Sequence, residues 1–121
     1  MPIKQKLTAN GINYNASNVI AGIPKTGLTA TGTNQATALA LSLDDIQVIN
    51  TAAAGTGVIL PILTPGDSMK VSNQGANDLS LYPPSGQSIN SLSTNTAITV
   101  PVTKTASIQM ITTTAWIASI A

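Results

Sequence analysis

Apolar residues in this chain recur at every second position, in short runs, and each run is stopped by Gly, Pro, Asn or Asp. A period of two sends successive side chains to opposite faces of an extended strand, whereas a helix needs a period near 3.6. DSMKVSN sets Met69 and Val71 against Ser68, Lys70 and Ser72. LSLY does the same with Leu79 and Leu81, TAITV with Ile98 and Val100, ASIQMI with Ile108 and Met110. AWIASI sets Trp116, Ala118 and Ile120 against Ile117 and Ser119. ATALALSL places Leu39, Leu41 and Leu43 on one face and Ala38, Ala40 and Ser42 on the other. Alanine content would permit a helix over Ala36–Leu43, but strict alternation and flanking threonines favour a strand. In IQVINT, Ile46, Val48 and Asn50 share one side, and Gln47, Ile49 and Thr51 the other. Many short strands at close spacing predict an all-β fold, specifically an antiparallel β-sandwich or jelly-roll-like domain.

The breaks between runs carry recognisable turn chemistry. TPGD puts Pro65 and Gly66 at the central positions of a type I or II turn. NQGAND is rich in residues that tolerate positive φ. LYPPSGQSIN, residues 81–90, ends one strand at Tyr82 and restarts another near Ile89. Pro83 and Pro84 fix φ and remove donors, so pairing must end there. Ser85-Gly86 then supplies a turn with a residue free to take positive φ. The stretch reads as a rigid corner, with the Tyr82 ring packed and its hydroxyl at the rim. Pro101 is expected at a strand end. No exact internal repeat is found.

Residues 1–34 differ: their apolar residues are scattered, and Pro24 with Gly11, Gly22, Gly27 and Gly32 interrupts any period. They are expected to form an extended arm that orders on a partner, or else a loose terminus. The expected organisation is therefore an arm over 1–34 and a β domain over 35–121.

Composition limits the chemistry. The chain has neither His nor Cys; its charge comes only from five Lys and four Asp, 7% of 121 residues. With no His, Cys, Glu or Arg, most acid–base and nucleophilic arrangements are unavailable. Asp44 and Asp45 are adjacent, so on a strand they face opposite ways; on a turn they would cap backbone amides. Asp67 and Asp78 lie beside turn signals. No catalytic residue, metal site or cofactor is expected. The glycines of GTG, Gly55 and Gly57, lack the Lys-Ser/Thr of a phosphate loop and mark a turn. Asn15-Ala16-Ser17 fits a glycosylation sequon, a pattern frequent by chance. A net charge of +1 gives no footprint for nucleic acid, and no apolar run reaches membrane-spanning length. MPIKQKLTANG shows no secretory leader pattern. A Trp and a Tyr can stack on a sugar ring, but with so few large side chains in the chain Trp116 and Tyr82 are expected in the core or a subunit seam. Low charge leaves little to keep copies apart, which favours a subunit covered by neighbours.

The pieces ATALAL, GVILP, PGDSMKVSNQGANDLSLYPPSGQSIN and the closing AW, between Ala36 and Ala118, resemble small β-rich structural proteins of tailed bacteriophages. Those include trimeric capsid decoration (cement) proteins. The resemblance implies a homotrimer bound to the major capsid protein on the outer surface of the virion, stabilising the joints between capsid subunits. Its partners would be the capsid protein and itself, without nucleic acid, membrane or small-molecule substrate. The arm would supply the capsid contact, through Ile3, Leu7, Ile12, Tyr14, Val19 and Ile20. The competing reading is a tail-fibre or baseplate module, structural or carbohydrate-binding.

Overall fold

The computed structural model describes residues 24–121. Those residues form ten strands and no helix: β1 (Lys25–Thr29), β2 (Leu39–Ala40), β3 (Ile46–Thr51), β4 (Gly57–Ile59), β5 (Ser68–Asn73), β6 (Leu79–Tyr82), β7 (Ser88–Ile89), β8 (Ile98–Val100), β9 (Thr105–Met110) and β10 (Ala115–Ile120). The strands make two sheets. One is six-stranded, in the order β1-β3-β5-β9-β10-β7; the other is four-stranded, in the order β2-β4-β6-β8.

The chain winds between them. Odd strands β1, β3 and β5 lie side by side and parallel in the larger sheet. Even strands β2, β4 and β6 lie side by side and parallel in the smaller one. Each turn of the winding is thus one odd and one even strand, stacked on the next like coils of a solenoid. The C-terminal third ends this pattern. β8 runs antiparallel to β6, β9 antiparallel to β5, and β10 antiparallel to β9, while β7 joins β10 in parallel.

The all-β expectation holds, but exclusively antiparallel pairing does not. Parallel neighbours need a connection that leaves the sheet and returns to the same side. Here the second sheet supplies that return path. In-register partners lie 19 residues apart for Leu39 and Val58, 22 for Lys25 and Gln47, and 24 for Gln47 and Val71. A repeat therefore exists in the backbone although no exact repeat is visible in the residues.

Four-residue turns make the corners. Thr56 N donates to the Ala53 carbonyl (3.1 Å), Asp67 N to Thr64 (3.0 Å), and Gln87 N to Pro84 (3.0 Å). The third residue of each has positive φ: Gly55 at 78°, Gly66 at 98°, Gly86 at 84°. The expected Pro-Pro corner is present, and it carries the chain from the small sheet at β6 to the large sheet at β7. Two further turns of this kind use other residues. Thr96 N reaches Ser93 (3.1 Å) with Asn95 at φ 68°, and Lys104 N reaches Pro101 (3.0 Å) with Thr103 at φ 69°. A β-branched residue is strained there. What holds it is the Thr103 N–H donated to the Asn73 carbonyl (2.8 Å).

One core lies between the sheets. The large sheet contributes Ile49, Met69, Val71, Ala106, Ile108, Met110 and Trp116; the small sheet contributes Val58, Leu79, Leu81, Ile98 and Val100. The alternation within β5, β6, β8 and β9 matches the buried set. In β3 the inward face is Gln47 and Ile49, and Ile46 is exposed. The strand expected over 36–43 is reduced to Leu39–Ala40. Asn34 takes the residues before it into a turn, accepting from Thr37 N through its side chain (3.0 Å). Leu41 is buried, but Leu43 swings out, 71% exposed. The expected arm also reaches less far: β1 and buried Ala30 belong to the packed domain.

Two substitutions test the corner geometry. Thr103→Gly is expected to raise stability by about 0.5–1 kcal/mol, because relief of left-handed strain exceeds the added unfolded-state entropy. Gly86→Val is expected to lower it by about 1–2 kcal/mol, purely through φ, since a Cβ at Gly86 meets open space. Thermal melts of both variants give the check; no loss of stability in Gly86→Val would mean the turn is built in another way.

Candidate functional site

Tyr82 ends β6 and is half-buried. Its neighbour across the ladder is Ile59, and its ring lies over Gly57 on the adjacent strand. A Cβ at Gly57 would stand 2.8 Å from Tyr82 Cε2 and 2.7 Å from the Ser80 carbonyl oxygen. The bare glycine is what lets the aromatic ring cover the strand. The Tyr82 hydroxyl donates to the Thr33 carbonyl at 3.4 Å, touching the loop between β1 and β2, two coils earlier.

Amide side chains pin the rest of the corner. Gln35 Nε2 donates to the Pro83 carbonyl (2.7 Å) and to Asn95 Oδ1 (3.2 Å). Asn95 Oδ1 also accepts from Gly86 N (2.7 Å), and Asn95 N donates to the Gln87 carbonyl (2.9 Å). Pro83 and Pro84 are buried. The corner is a clasp between three segments distant in sequence, and the tyrosine is one of its packing elements.

Trp116 is 1% exposed, within the core of its own chain. Its indole N–H donates to Gln87 Oε1 at 2.6 Å, so its polar atom is also consumed internally. Burial of a side chain this size, roughly 150–250 Å², stabilises by up to about 4–6 kcal/mol. Of the two expected locations, core and seam, the described chain gives Trp116 the core. It presents no face for stacking on a sugar.

The carboxylates are structural in their contacts. Asp67 caps its own turn, Oδ2 accepting from Thr64 N (3.1 Å) and Thr64 Oγ1 (2.8 Å). Those bonds hold the Asp67 carboxyl below its ordinary pKa. Asp44 accepts from Ser42 Oγ rather than from a backbone amide, so the capping role expected of the Asp44-Asp45 pair belongs instead to Asp67. Burial, followed by the charges of Asp44 and Asp67, raises Asp45. Asp78 lies on the rim of an open cleft with Ala54, Gly55, Ala76, Asn77 and Val102. Among the described residues no three acidic or other ligating side chains gather as a metal would need.

Two buried amides lie outside the alternation signal. Asn73, fully buried, donates to the carbonyls of Asn77 (2.8 Å) and Val100 (2.9 Å) and accepts from Gly75 N (3.0 Å). It ties the large sheet to the small one. Gln47, also fully buried, donates to the carbonyls of Ser42 (3.1 Å) and Asp44 (3.0 Å), while its Oε1 has no partner. An unmatched buried acceptor costs about 1–3 kcal/mol. A polar residue at an inward position of an apolar run is the signal that could have marked both.

The remaining surface is notable for what it carries. Across β3, β5, β9 and β10 the only charged side chain is Lys70. The outward positions are otherwise mostly Ser, Thr, Gln and Asn, with half-buried Val48 and Ala115 and exposed Ile46 and Ile117 among them. Ile3, Leu7, Ile12, Tyr14, Val19 and Ile20 lie outside the described residues.

Asp67→Ala should lower stability at neutral pH by about 0.5–1 kcal/mol, a small value because solvent competes for these exposed bonds. A depressed folded pKa adds stability that is complete above the ordinary carboxyl value and is lost as pH falls through the depressed one. The difference between wild type and variant should therefore shrink on acidification. A difference in melting temperature that is constant from pH 7 to pH 2 would contradict the cap.

No protein-family model, no curated protein and no solved structure matches this chain.

Proposed function

We propose that this chain is a non-catalytic assembly subunit, a bacteriophage capsid decoration (cement) protein acting as a homotrimer on the outer capsid surface. The observation that carries the reading is the broad, nearly uncharged outer face of the six-stranded sheet, with a single Lys across four strands and isoleucines among its hydroxyl and amide side chains. Such a face buries without stranding charge. Self-complementary patches repeated by closed symmetry build trimers, and a trimer suits a threefold joint between capsid subunits. The stacked coils give a stiff body, and the work is done by contact area, which fits the sequence resemblance to phage structural proteins. The major capsid protein would be the second partner, reached by the N-terminal segment.

The tail-fibre or baseplate reading loses one of its two expected sugar-stacking residues, because Trp116 is internal. What remains of that reading is a structural module elsewhere in the particle.

Purified protein is expected to run as a trimer at micromolar concentration by light scattering, and Ile117→Lys on the open sheet face is expected to shift it towards monomer without loss of fold. A monomeric wild type sinks the trimer. Capsid attachment is best tested by Ile12→Ser with Tyr14→Ser, because truncation at residue 30 would also remove β1 and Ala30. Sedimentation with purified capsids should show weakened binding; full binding by the double variant would exclude these residues as the contact.

A further inference from the structure

Among the described strands the two sheets have four outer edges: β1 and β7 in the larger sheet, β2 and β8 in the smaller. A stack of coils with open edges can take another copy of itself end to end, and contacts of that kind repeat without closing. Three of the four edges offer little to a neighbour. β2 is two residues long; β8 is three, and Pro101 after it has no N–H. At β7, Ser88 N donates to the Thr114 carbonyl (2.9 Å) and Asn90 N to the Trp116 carbonyl (2.9 Å), both towards β10. Alternation then turns Gln87 and Ile89 to the open side. The chain reverses there through left-handed Asn90 and Ser91, at φ 54° and 61°. The loop that follows covers both carbonyls: Leu92 N donates to Ile89 (3.0 Å) and Asn95 N to Gln87 (2.9 Å).

β1 is the long edge, five residues of which only Leu28 is half-buried and the rest are exposed. Its ladder with β3 is broken twice in succession. Lys25 pairs with Gln47 and Leu28 with Ile49, so one residue is extra on β1; Thr29 then pairs with Thr51, so one residue is extra on β3. The extra residue on β3 is Asn50, and its Oδ1 accepts the Gly27 N–H at 2.7 Å. Gly27 holds φ 73°, and a Cβ there would meet nothing within 4 Å. The glycine is therefore required by its backbone angle and not by space. The next ladder inward, β3 with β5, runs through four pairs without a break, so the irregularity is confined to the edge. Exposed Pro24 and Lys25 lead into it. A bulge, a proline and a lysine are devices that keep a strand edge from pairing with another chain.

We propose that the irregularity at Gly27 and Asn50 is an edge guard, which stops a second copy of this chain from adding to the stack at β1. The Asn50 amide pins the kinked backbone, and the kink leaves no straight row of donors and acceptors for a neighbour to read. With the loop after β7 covering the opposite edge of the same sheet, copies do not stack end to end, and association is left to the sheet faces. The guard stands without the capsid reading.

Lys25→Thr with Gly27→Val and Asn50→Val removes the charge, the left-handed residue and the pin together, because a β-branched residue favours extended backbone. This variant is expected to associate without limit, its scattering mass rising with concentration to at least about tenfold that of wild type at equal concentration. Adding Thr26→Lys to it should return the mass to the wild-type value. Growth that survives the added lysine places the contact on another surface and overturns the proposal. So does a folded triple variant of wild-type size, or a wild type that itself grows without limit. If circular dichroism shows the triple variant unfolded, Asn50→Ala decides, since it removes only the exposed pin. A raised mass with the fold kept, and faster hydrogen exchange at the Gly27 amide, supports the guard; wild-type mass overturns it. Each mass is read against that of wild type, so the result does not depend on whether the wild type is a trimer.

Discussion

Parallel pairing between strands about two dozen residues apart is the constraint on which this structure rests. A strand of two to six residues buries too little and satisfies too few backbone groups to persist alone. Here β3 takes its ladder from β1 in the coil before and β5 in the coil after, and β4 does the same with β2 and β6 in the opposite sheet. The corners must then deliver the chain to the other sheet within a few residues. That is why left-handed backbone recurs at the same turn position, at Gly55, Gly66, Gly86, Asn95 and Thr103. The three glycines and the asparagine tolerate the conformation; the threonine is the point of strain, maintained by its bond to Asn73.

Side-chain amides perform the work that charges do elsewhere. Gln35 and Asn95 clasp the Pro-Pro corner, Gln87 receives the indole of Trp116, and Asn73 joins the sheets. Neutral amides donate and accept in a low-dielectric interior without the desolvation cost of an ion. This permits a packed domain with very few charged residues, and it leaves an outer sheet face that a neighbour can cover at low cost. The proposed role in assembly follows from that same economy: the fold does not use charge inside and scarcely displays it outside.

Local patterns were readable where one physical cause acted alone. Met69, Val71, Leu79, Leu81, Ile98, Val100, Ile108 and Met110 alternate with polar residues, so a single face could be apolar and it is the buried one. The PPSG corner was legible because proline and glycine act through their own backbone. β3 was not, since Ile46 and Val48 compete with Gln47 and Ile49 for the core, and only the position of β1 and β5 on either side decides between them. The 36–43 segment misled for a similar reason: Asn34 captures Thr37 in a turn before alternation can extend. Of the residues considered for a site, Trp116 proved internal and Tyr82 a clasp between coils, while the amides that complete the clasp carried no signal of their own.

The sequence by itself determined that the described chain is built of strands, where most of them turn, and which faces of the clean alternations go inward, because these follow from side-chain period and from the φ restrictions of Gly and Pro. Only the tertiary structure decided that neighbouring strands run parallel in a stack of coils. Strand direction depends on which distant segment supplies the next ladder, and a period of two looks the same in either orientation.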